Sequence, residues 1–381
     1  MKQYRQFIEI LILSVIVFII FLLAIIFLAS SQSSYEKLRS DCKSPLDKGD
    51  LGDYEEVSNF PRPLYQGGSF SERADLKNIK MFFFGDMMID RHVGEKIATN
   101  GLPYLFDKLA TSTGIDFNSY DLISANLEGA TTDGGEHYLP NNVYDFAFNP
   151  DLINKLKNYN FNFFNLANNH LTDQGQKGVE ETRKNLSLLN FKYSGCSDGL
   201  AGECSATTTE INNLQVGLAG FSMVYNLIDK KEITDIVSDL ASSTDLVIVN
   251  MHWGVEYEHQ FNKIQEDYAH AIIDSGADII IGHHPHVVQG FEVYKNKPIF
   301  YSLGNFIFDQ YFSPDTQEGL GVGIGISENK KQIFLFPFRS KLNQVELMKD
   351  EEKSNFYKKF IQWSNVDESL KNEISQGFLE L

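Results

Sequence analysis

Short apolar runs of strand length alternate with longer stretches of helical periodicity from about Ile79 to Asn305, and this order constrains the fold most. Met81–Phe84 has the composition of a buried strand, whereas Asp151–Tyr159 carries apolar residues on one helical face. Strands that alternate with helices and end in a hairpin predict a mixed α/β (α+β) fold with parallel and antiparallel pairing. The other predicted strands are Asp121–Ala125, Phe161–Ala167, Val216–Gly220, Asp245–Asn250, Ile279–Ile281 and Pro298–Asn305; the other helices are Gly178–Leu189 and Ile264–Ser275, and the hairpin joins Gly321–Ile326 to Gln332–Phe336.

Polar side chains of metal-binding type follow five of the predicted strands. Since parallel strands deliver their carboxyl ends to one edge of a sheet, where α/β proteins bind ligands, these side chains are expected to converge. Any one of them alone is more simply a helix cap, a turn residue or a buried histidine. Together they favour a metal centre with one or two divalent ions (Mn, Zn, Fe or Mg), since such mixed ligands suit these metals. The predicted ligands are Asp86, Glu128, Asn169, His252, His284 and His286.

Three of the nine histidines lie in one loop, Gly282–Gln289, directly after the apolar run Ile279–Ile281. His284 and His286 are one residue apart, so both imidazoles can reach one point from an extended or turning backbone. Neutral imidazole is the commonest protein ligand for transition metals. The alternative, for this window alone, is a solvated turn that happens to be rich in histidine.

The stretch Ile10–Ala29 is apolar throughout except for Ser14. About 20 helical residues span the roughly 30 Å hydrocarbon core of a bilayer, so this stretch predicts a transmembrane anchor. Lys2 and Arg5 precede it and favour a cytoplasmic N-terminus, which places the C-terminal part outside the cell membrane. A cleaved signal peptide, with a mature chain beginning near Ser30, is the alternative. The predicted order is a cytoplasmic tail at 1–9, the anchor at 10–29 and an extracytoplasmic tether at 30–77.

The charge and the cysteine content indicate which partners the chain can have and in which compartment it folds. The formal net charge of −18 argues against nonspecific binding of nucleic acid, and an anionic substrate would need a local cation. Cys196 and Cys204 lie close in sequence among glycines, so in an oxidising compartment they are predicted to close a small disulfide loop. Cys42 is left over, in the tether.

Six sequence blocks carry a family resemblance: Gly85-Asp86-Met87-Met88, Asn126-Leu127-Glu128, Ala167-Asn-Asn-His170, His252-Trp-Gly-Val-Glu-Tyr257, Gly282-His-His-Pro-His-Val-Val-Gln289 and Ser302-Leu-Gly-Asn-Phe306. Together they resemble the CapA family of bacterial capsule and poly-γ-glutamate synthesis proteins, which is related to calcineurin-like metallophosphoesterases. The resemblance implies a metallophosphoesterase-like four-layer sandwich of two mixed β-sheets flanked by helices, over residues 78–340. It also implies an anchored extracytoplasmic domain that acts in synthesis, export or processing of an anionic polymer such as poly-γ-glutamate, in a membrane complex. The charged segment at 341–381 is predicted to form a helical extension.

One departure from the wider superfamily bears on the chemistry. Relatives in the wider superfamily have Asp-x-His here, and both residues are ligands. In this chain Met88 stands two residues after Asp86, in the place of the histidine. A thioether binds Mn²⁺ or Mg²⁺ poorly, so one metal position is lost or rebuilt. In a first hypothesis the chain is a metal-dependent hydrolase or transferase in which His170 protonates the leaving group. In a second it is a non-catalytic module that binds an anionic polymer in an export complex. The residues predicted to bind substrate are Arg91, Glu256, Tyr257, Gln289 and Asn305.

Overall fold

The structure is a computed structural model that describes residues 79–111, 115–140, 143–327 and 330–381. Its strands are β1 Ile79–Met87, β2 Leu122–Leu127, β3 Ala130–Thr131, β4 Ala147–Phe148, β5 Phe163–Asn165, β6 Lys192–Ser194, β7 Ala206–Ile211, β8 Leu214–Ser222, β9 Leu246–His252, β10 Ile279–His283, β11 Phe291–Tyr294, β12 Lys297–Phe300, β13 Asn305–Ile307, β14 Glu318–Ser327, β15 Lys330–Lys341, β16 Gln344–Leu347 and β17 Phe378–Glu380. Its helices are α1 Arg91–Asn100, α2 Pro103–Thr111, α3 Pro150–Lys155, α4 Gly175–Leu188, α5 Lys230–Ser243, α6 Lys263–Asp274, α7 Asp350–Trp363 and α8 Glu368–Gln376.

The strands form two large mixed sheets. The nine-stranded sheet has the order β16-β15-β14-β1-β2-β5-β6, with β13 paired to β1 and β17 paired to β15. The six-stranded sheet has the order β11-β12-β10-β9-β8-β7. In each sheet a parallel centre is joined to antiparallel strands, β14 beside β1 in the larger sheet and β7 and β11 at the edges of the smaller one. The predicted mixture of parallel and antiparallel pairing is therefore confirmed.

Alternating side chains on the central strands separate three apolar cores. On β1, Phe82 and Phe84 pack toward the helices α1 to α4, whereas Met81 and Phe83 lie in the core between the two sheets. On β9, Ile248 faces that same inter-sheet core, and its neighbours on the strand pack against α5 and α6. The layers are thus helices, larger sheet, smaller sheet and helices, as expected for a sandwich of two sheets.

Local chemistry shifts two predicted elements by a few residues. The helix predicted at Asp151–Tyr159 starts one residue earlier, at Pro150, because Asn149 caps it by accepting a hydrogen bond from the Asp151 amide at 2.8 Å. Its last turn tightens into a 3₁₀ helix. The strand predicted at Phe161–Ala167 is shorter, since pairing with both neighbours involves only residues 163–165.

The C-terminal segment contains the helices α7 and α8, and it also contributes strands to the larger sheet. β16 and β17 both pair with β15, so the residues after 341 are part of the same sheet. In the described ranges no helix combines the length and the apolar character that crossing a bilayer requires. The predicted transmembrane anchor at 10–29 lies outside the described residues.

Candidate metal centre

Two fully buried carboxylates form the base of the site. Asp86 lies near the end of β1 and pairs in register with Asn126 of β2, and Glu128 follows β2 directly. Asn126 donates from Nδ2 to Asp86 Oδ1 at 2.8 Å and to Glu128 Oε2 at 3.2 Å. The two acidic side chains are therefore fixed to one amide group at adjacent strand ends.

The histidine loop folds around Asp86. His284 and His286 adopt φ angles of 99° and 59°, in the left-handed region that side chains rarely occupy. This backbone lets the His284 amide donate to Asp86 Oδ2 at 3.2 Å and brings His286 Nδ1 to 3.5 Å from the same oxygen. His283 Nδ1 lies 3.6 Å from Asp86 Oδ1. Unfavourable φ angles that are held by surrounding contacts are typical of functional sites.

The two sheets meet at His252, the last residue of β9. Its Nε2 lies 2.8 Å from Asn169 Oδ1, which follows β5 of the larger sheet. Its ring centroid lies 4.9 Å from that of His284. Residues far apart in the chain thus converge as the strand-end pattern predicts, and their role as ligands stays a prediction.

Burial and neighbouring charges shift the two carboxylates in opposite directions. Burial raises the pKa of Glu128 well above its ordinary value, and the charges of Asp86 and Asp173 raise it further. Burial also acts to raise the pKa of Asp86, but the hydrogen bond from His286 and the nearby histidines outweigh it and hold that pKa well below its usual range. Without a cation, a charged Glu128 is therefore unfavourable beside an ionised Asp86.

Burial keeps three of the surrounding imidazoles neutral. It lowers the pKa of His252 well below its ordinary value, and it lowers the pKa of His283 to about 4 and that of His284 to about 3. A neutral imidazole offers the lone pair that metal ligation needs, so these rings are in the right protonation state at neutral pH.

Three buried polar atoms at the site have no hydrogen-bond partner among the described residues: Glu128 Oε1, His283 Nδ1 and His284 Nδ1. Such atoms are rare in folded proteins because leaving them unpaired costs about 1–3 kcal/mol each. A divalent cation would satisfy carboxylate and imidazole atoms at once, and the donor types suit Mn²⁺, Zn²⁺ or Fe²⁺. The ligand atoms at the site form two sets, and within each set all the atoms lie within 4.8 Å of one another. One set comes from Asp86, Glu128 and His252, and the other from Glu256, His284 and His286. The residues present therefore fit one or two metal ions.

His170 forms a buried pair with an acid. Its Nδ1 lies 2.9 Å from Asp173 Oδ2, and the same oxygen accepts a hydrogen bond from the Phe146 amide at 3.1 Å. The other ring nitrogen, Nε2, lies 3.8 Å from Glu128 Oε1. Asp173 thus fixes the ring so that Nε2 faces Glu128, an orientation that suits a general acid.

Three of the predicted substrate-binding residues lie at the surface near the histidines. The ring of Tyr257 is 6.3 Å from that of His286, and Glu256 beside it is exposed. Burial and the charge of Glu256 raise the pKa of Tyr257 to about 12. Arg91, the one basic side chain among the predicted substrate-binding residues, forms an ion pair with Asp309.

The other two predicted substrate-binding residues are buried and bonded within the fold. Asn305 Oδ1 lies 2.9 Å from His286 Nδ1, which orients that ring. Gln289 Nε2 donates to the carbonyl oxygen of Glu258 at 2.8 Å and so holds the loop that carries Glu256 and Tyr257. Both contacts position residues of the site, as hydrogen bonds behind metal ligands commonly do.

Sequence reasoning did not assign Asn126, His283 or Asp173 to the site, although all three lie in it. Asn126 lies two residues before Glu128 in the block Asn126-Leu127-Glu128, and His283 lies in the histidine loop. The spacing of three residues between His170 and Asp173 is the signal that could have found the buried pair.

Met88 takes no part in the donor set. It is fully buried in the apolar core under the helices, and its sulfur accepts a hydrogen bond from the Asp90 amide at 3.2 Å. The nitrogen of His283 that has no hydrogen-bond partner in the described chain lies 3.6 Å from Asp86 Oδ1. The structure therefore offers an imidazole near Asp86 despite the methionine.

Comparisons with known proteins agree on one family. A family model described as bacterial capsule synthesis protein PGA_cap matches residues 80–310. Capsule biosynthesis protein CapA of Bacillus anthracis is 33% identical over 253 residues, which cover 61% of this chain and 61% of that protein. PGA biosynthesis protein CapA of Bacillus subtilis (strain 168) is 31% identical over 242 residues, which cover 60% of this chain and 63% of that protein. The match thus spans less than two thirds of either relative.

Among solved structures, a phosphatase from Mycoplasma pneumoniae overlaps 72% of this chain and 92% of its own, with a TM-score of 0.42 and 14% sequence identity. An overlap this weak carries no conclusion about the function of this chain.

Proposed function

This chain belongs to the bacterial capsule synthesis protein family PGA_cap, and we propose that it binds divalent metal ions and acts on a capsular polymer such as poly-γ-glutamate. The action is hydrolysis or group transfer during synthesis, export or processing of the polymer. The reaction takes place on the outer side of the cell membrane, and residues 10–29 anchor the chain in that membrane. The chain acts there within a membrane complex for synthesis or export. The Bacillus relatives are named capsule and PGA biosynthesis proteins, and these names support the choice of such a polymer as the substrate.

The observation that carries the proposal is the convergence of buried carboxylates and imidazoles, among which Glu128 Oε1, His283 Nδ1 and His284 Nδ1 have no hydrogen-bond partner in the described ranges. Asp86, Glu128 and His252 would hold one ion, and Glu256, His284 and His286 would hold a second. A divalent ion bound there supplies Lewis acidity and a water of lowered pKa. Asn126 and Asn305 orient the carboxylates and the His286 ring.

The buried pair of His170 and Asp173 favours catalysis over simple binding. Asp173 bonds Nδ1 and leaves Nε2 directed to the site, where it delivers a proton to the leaving atom as the bond breaks. A module that only binds polymer has no need of a histidine that a buried acid orients toward the site.

An assay of bond cleavage in the purified full-length chain tests the proposal. With Mn²⁺ present, we expect shorter chains from poly-γ-glutamate or product from a phosphate-ester substrate, and roughly 100-fold slower turnover in His170→Gln. Asp173→Asn is expected to slow turnover as well while leaving metal content unchanged. His92→Ala, an exposed histidine on α1, is the matched control and should behave as the wild type. Metal-loaded chain that binds the polymer but cleaves neither substrate would instead identify a non-catalytic binding component.

A further inference from the structure

Three exposed aromatic side chains stand beside the candidate metal centre. Tyr144, Tyr257 and Phe312 are 48%, 43% and 68% exposed, and we name them the aromatic collar. The Tyr144 ring lies 5.2 Å from that of His170, the Tyr257 ring lies 6.3 Å from that of His286, and Phe312 meets Tyr257 edge-on at 5.2 Å. Large rings grouped in water next to a polar site are typical of a surface that contacts a ligand.

The charges near the collar oppose an anionic ligand. Glu256 adds an exposed carboxylate within 4.8 Å of the site nitrogens of His284 and His286. The guanidinium of Arg91 is paired with Asp309. The chain as a whole carries a formal net charge of −18. Arg91, the arginine predicted to bind substrate, therefore does not by itself explain how an acidic polymer would be held here.

We infer that the aromatic collar binds the polymer through its uncharged backbone, while the polymer carboxylates are held through the divalent ions alone. The inference rests on the proposed function and names what that site recognises. A γ-linked polyglutamate carries methylene and amide groups in its main chain between carboxylates, and these present an apolar face to Tyr257 and Phe312. An α-linked polyglutamate of equal charge carries its methylenes in the side chains, so its main chain lacks that face.

This mode of recognition has a distinctive dependence on ionic strength. The acidic protein and the acidic polymer repel each other over distances that salt screens, with a Debye length of about 10 Å at 0.1 M. Ring contacts and buried metal contacts are screened much less. Affinity should therefore rise as salt is added, whereas a polyanion held by lysine and arginine loses affinity.

Binding of fluorescently labelled poly-γ-glutamate to the Mn²⁺-loaded full-length chain tests the inference. Tyr257→Ala and Phe312→Ala should each raise Kd roughly fivefold to tenfold, because each removes a ring contact. Tyr257→Phe keeps the ring and should therefore lose less affinity than Tyr257→Ala. Tyr225→Ala removes another exposed tyrosine, 68% exposed and outside the collar, and is the matched control. Wild type should prefer the γ-linked to the α-linked polymer, and the collar variants should lose that preference.

The outcomes separate the collar from the metal centre. Wild-type affinity in both Tyr257→Ala and Phe312→Ala, or a wild-type affinity that falls with added salt, would overturn the collar and leave the proposed function standing. Equal losses in Tyr225→Ala and the collar variants would also overturn it. A metal-loaded wild type that binds no polymer would contradict the proposed function and this inference together. Metal content measured on every variant shows whether the centre itself has changed.

Discussion

Asn126 is the residue on which the geometry of the site most depends. Its Nδ2 bonds Asp86 and Glu128, and its Oδ1 accepts from Asn165 at 2.9 Å and from Asn168 at 3.3 Å. One amide therefore links the ends of β2 and β5 and sets the separation of two buried acids. Hydrogen bonds of this kind, one step behind the ligands, commonly fix the orientation of a metal site.

We expect Asn126→Ala to lower the affinity for divalent metal by about 10- to 100-fold, because the two carboxylates lose their common donor. The free energy of unfolding of the metal-free chain should fall by about 1–3 kcal/mol, since buried partners are left unsatisfied. Metal titration and denaturant unfolding measure the two effects. Asn118→Ala, at an exposed asparagine, serves as the control. An unchanged metal affinity in Asn126→Ala would show that its hydrogen bonds do not position the carboxylates for metal binding.

At the scale of elements, a disulfide braces the segment beside the site. Cys196 and Cys204 form a disulfide at a sequence separation of eight, as the sequence predicts. Gly195 donates from its amide to the Cys204 carbonyl at 2.7 Å and lies so close to Ala167 that a Cβ would stand 2.1 Å from the Ala167 nitrogen. The disulfide loop is thus packed on the strand end that leads to Asn169.

Replacing both cysteines by serine should lower the free energy of unfolding by roughly 2.5 kcal/mol. The reason is that the disulfide closes a loop of this length and so lowers the conformational entropy of the unfolded chain. Denaturant unfolding with and without reductant measures the effect. Reductant should destabilise the wild type and leave the double variant unchanged. Equal stability of the two proteins under oxidising conditions would show that the loop is held by its packing alone.

A buried lysine joins β15 to the start of β10. Lys331 is 4% exposed, and its ammonium lies 3.4 Å from the Asp278 carbonyl oxygen. Burial lowers the pKa of Lys331 from 10.5 to about 8, although the charge of Asp278 acts in the opposite direction. Between those two pH values the unfolded chain binds a proton that the folded chain does not. The contribution of Lys331 to the free energy of unfolding therefore rises as the pH increases from about 8 to 10.5.

Lys331→Met should remove that rise, which amounts to roughly 3 kcal/mol. At pH 7 the variant should be more stable than the wild type by about 1–4 kcal/mol, because a buried charge is replaced by an apolar chain. Asp278 keeps its ion pair with Lys297 at 3.3 Å. Denaturant unfolding of both proteins at several pH values tests this. Parallel pH profiles would show that Lys331 is charged throughout.

The sequence predicts elements better than it predicts the contacts that place them. The apolar run at Met81–Phe84 and the two runs of the hairpin over 321–336 have the length and composition of strands, and both predictions are confirmed. β17 pairs with β15 through just three residues, so its own composition carries little strand signal. The role of Asn126 depends on partners 39 to 42 residues away, and no local pattern encodes such distances.

Across the whole molecule, the N-terminal anchor remains a prediction about residues 10–29. If they form an uncleaved transmembrane helix, the mature protein should stay in the membrane fraction at full mass. Its C-terminal domain should be accessible to protease added outside intact cells. Mass spectrometry of the native protein identifies its first residue, and a mature chain that begins near Ser30 would establish a cleaved signal peptide instead.

The central claim, that the strand ends form a metal centre, is tested most directly by the metal content of the purified full-length chain. After equilibration with Mn²⁺ or Zn²⁺ and removal of free metal, elemental analysis should find one or two ions per wild-type chain. His286→Ala and Asp86→Asn should lose most of that metal while circular dichroism shows them folded. His92→Ala should retain it. A folded wild type that holds no divalent metal, or a His286→Ala variant with full metal content, would contradict the account.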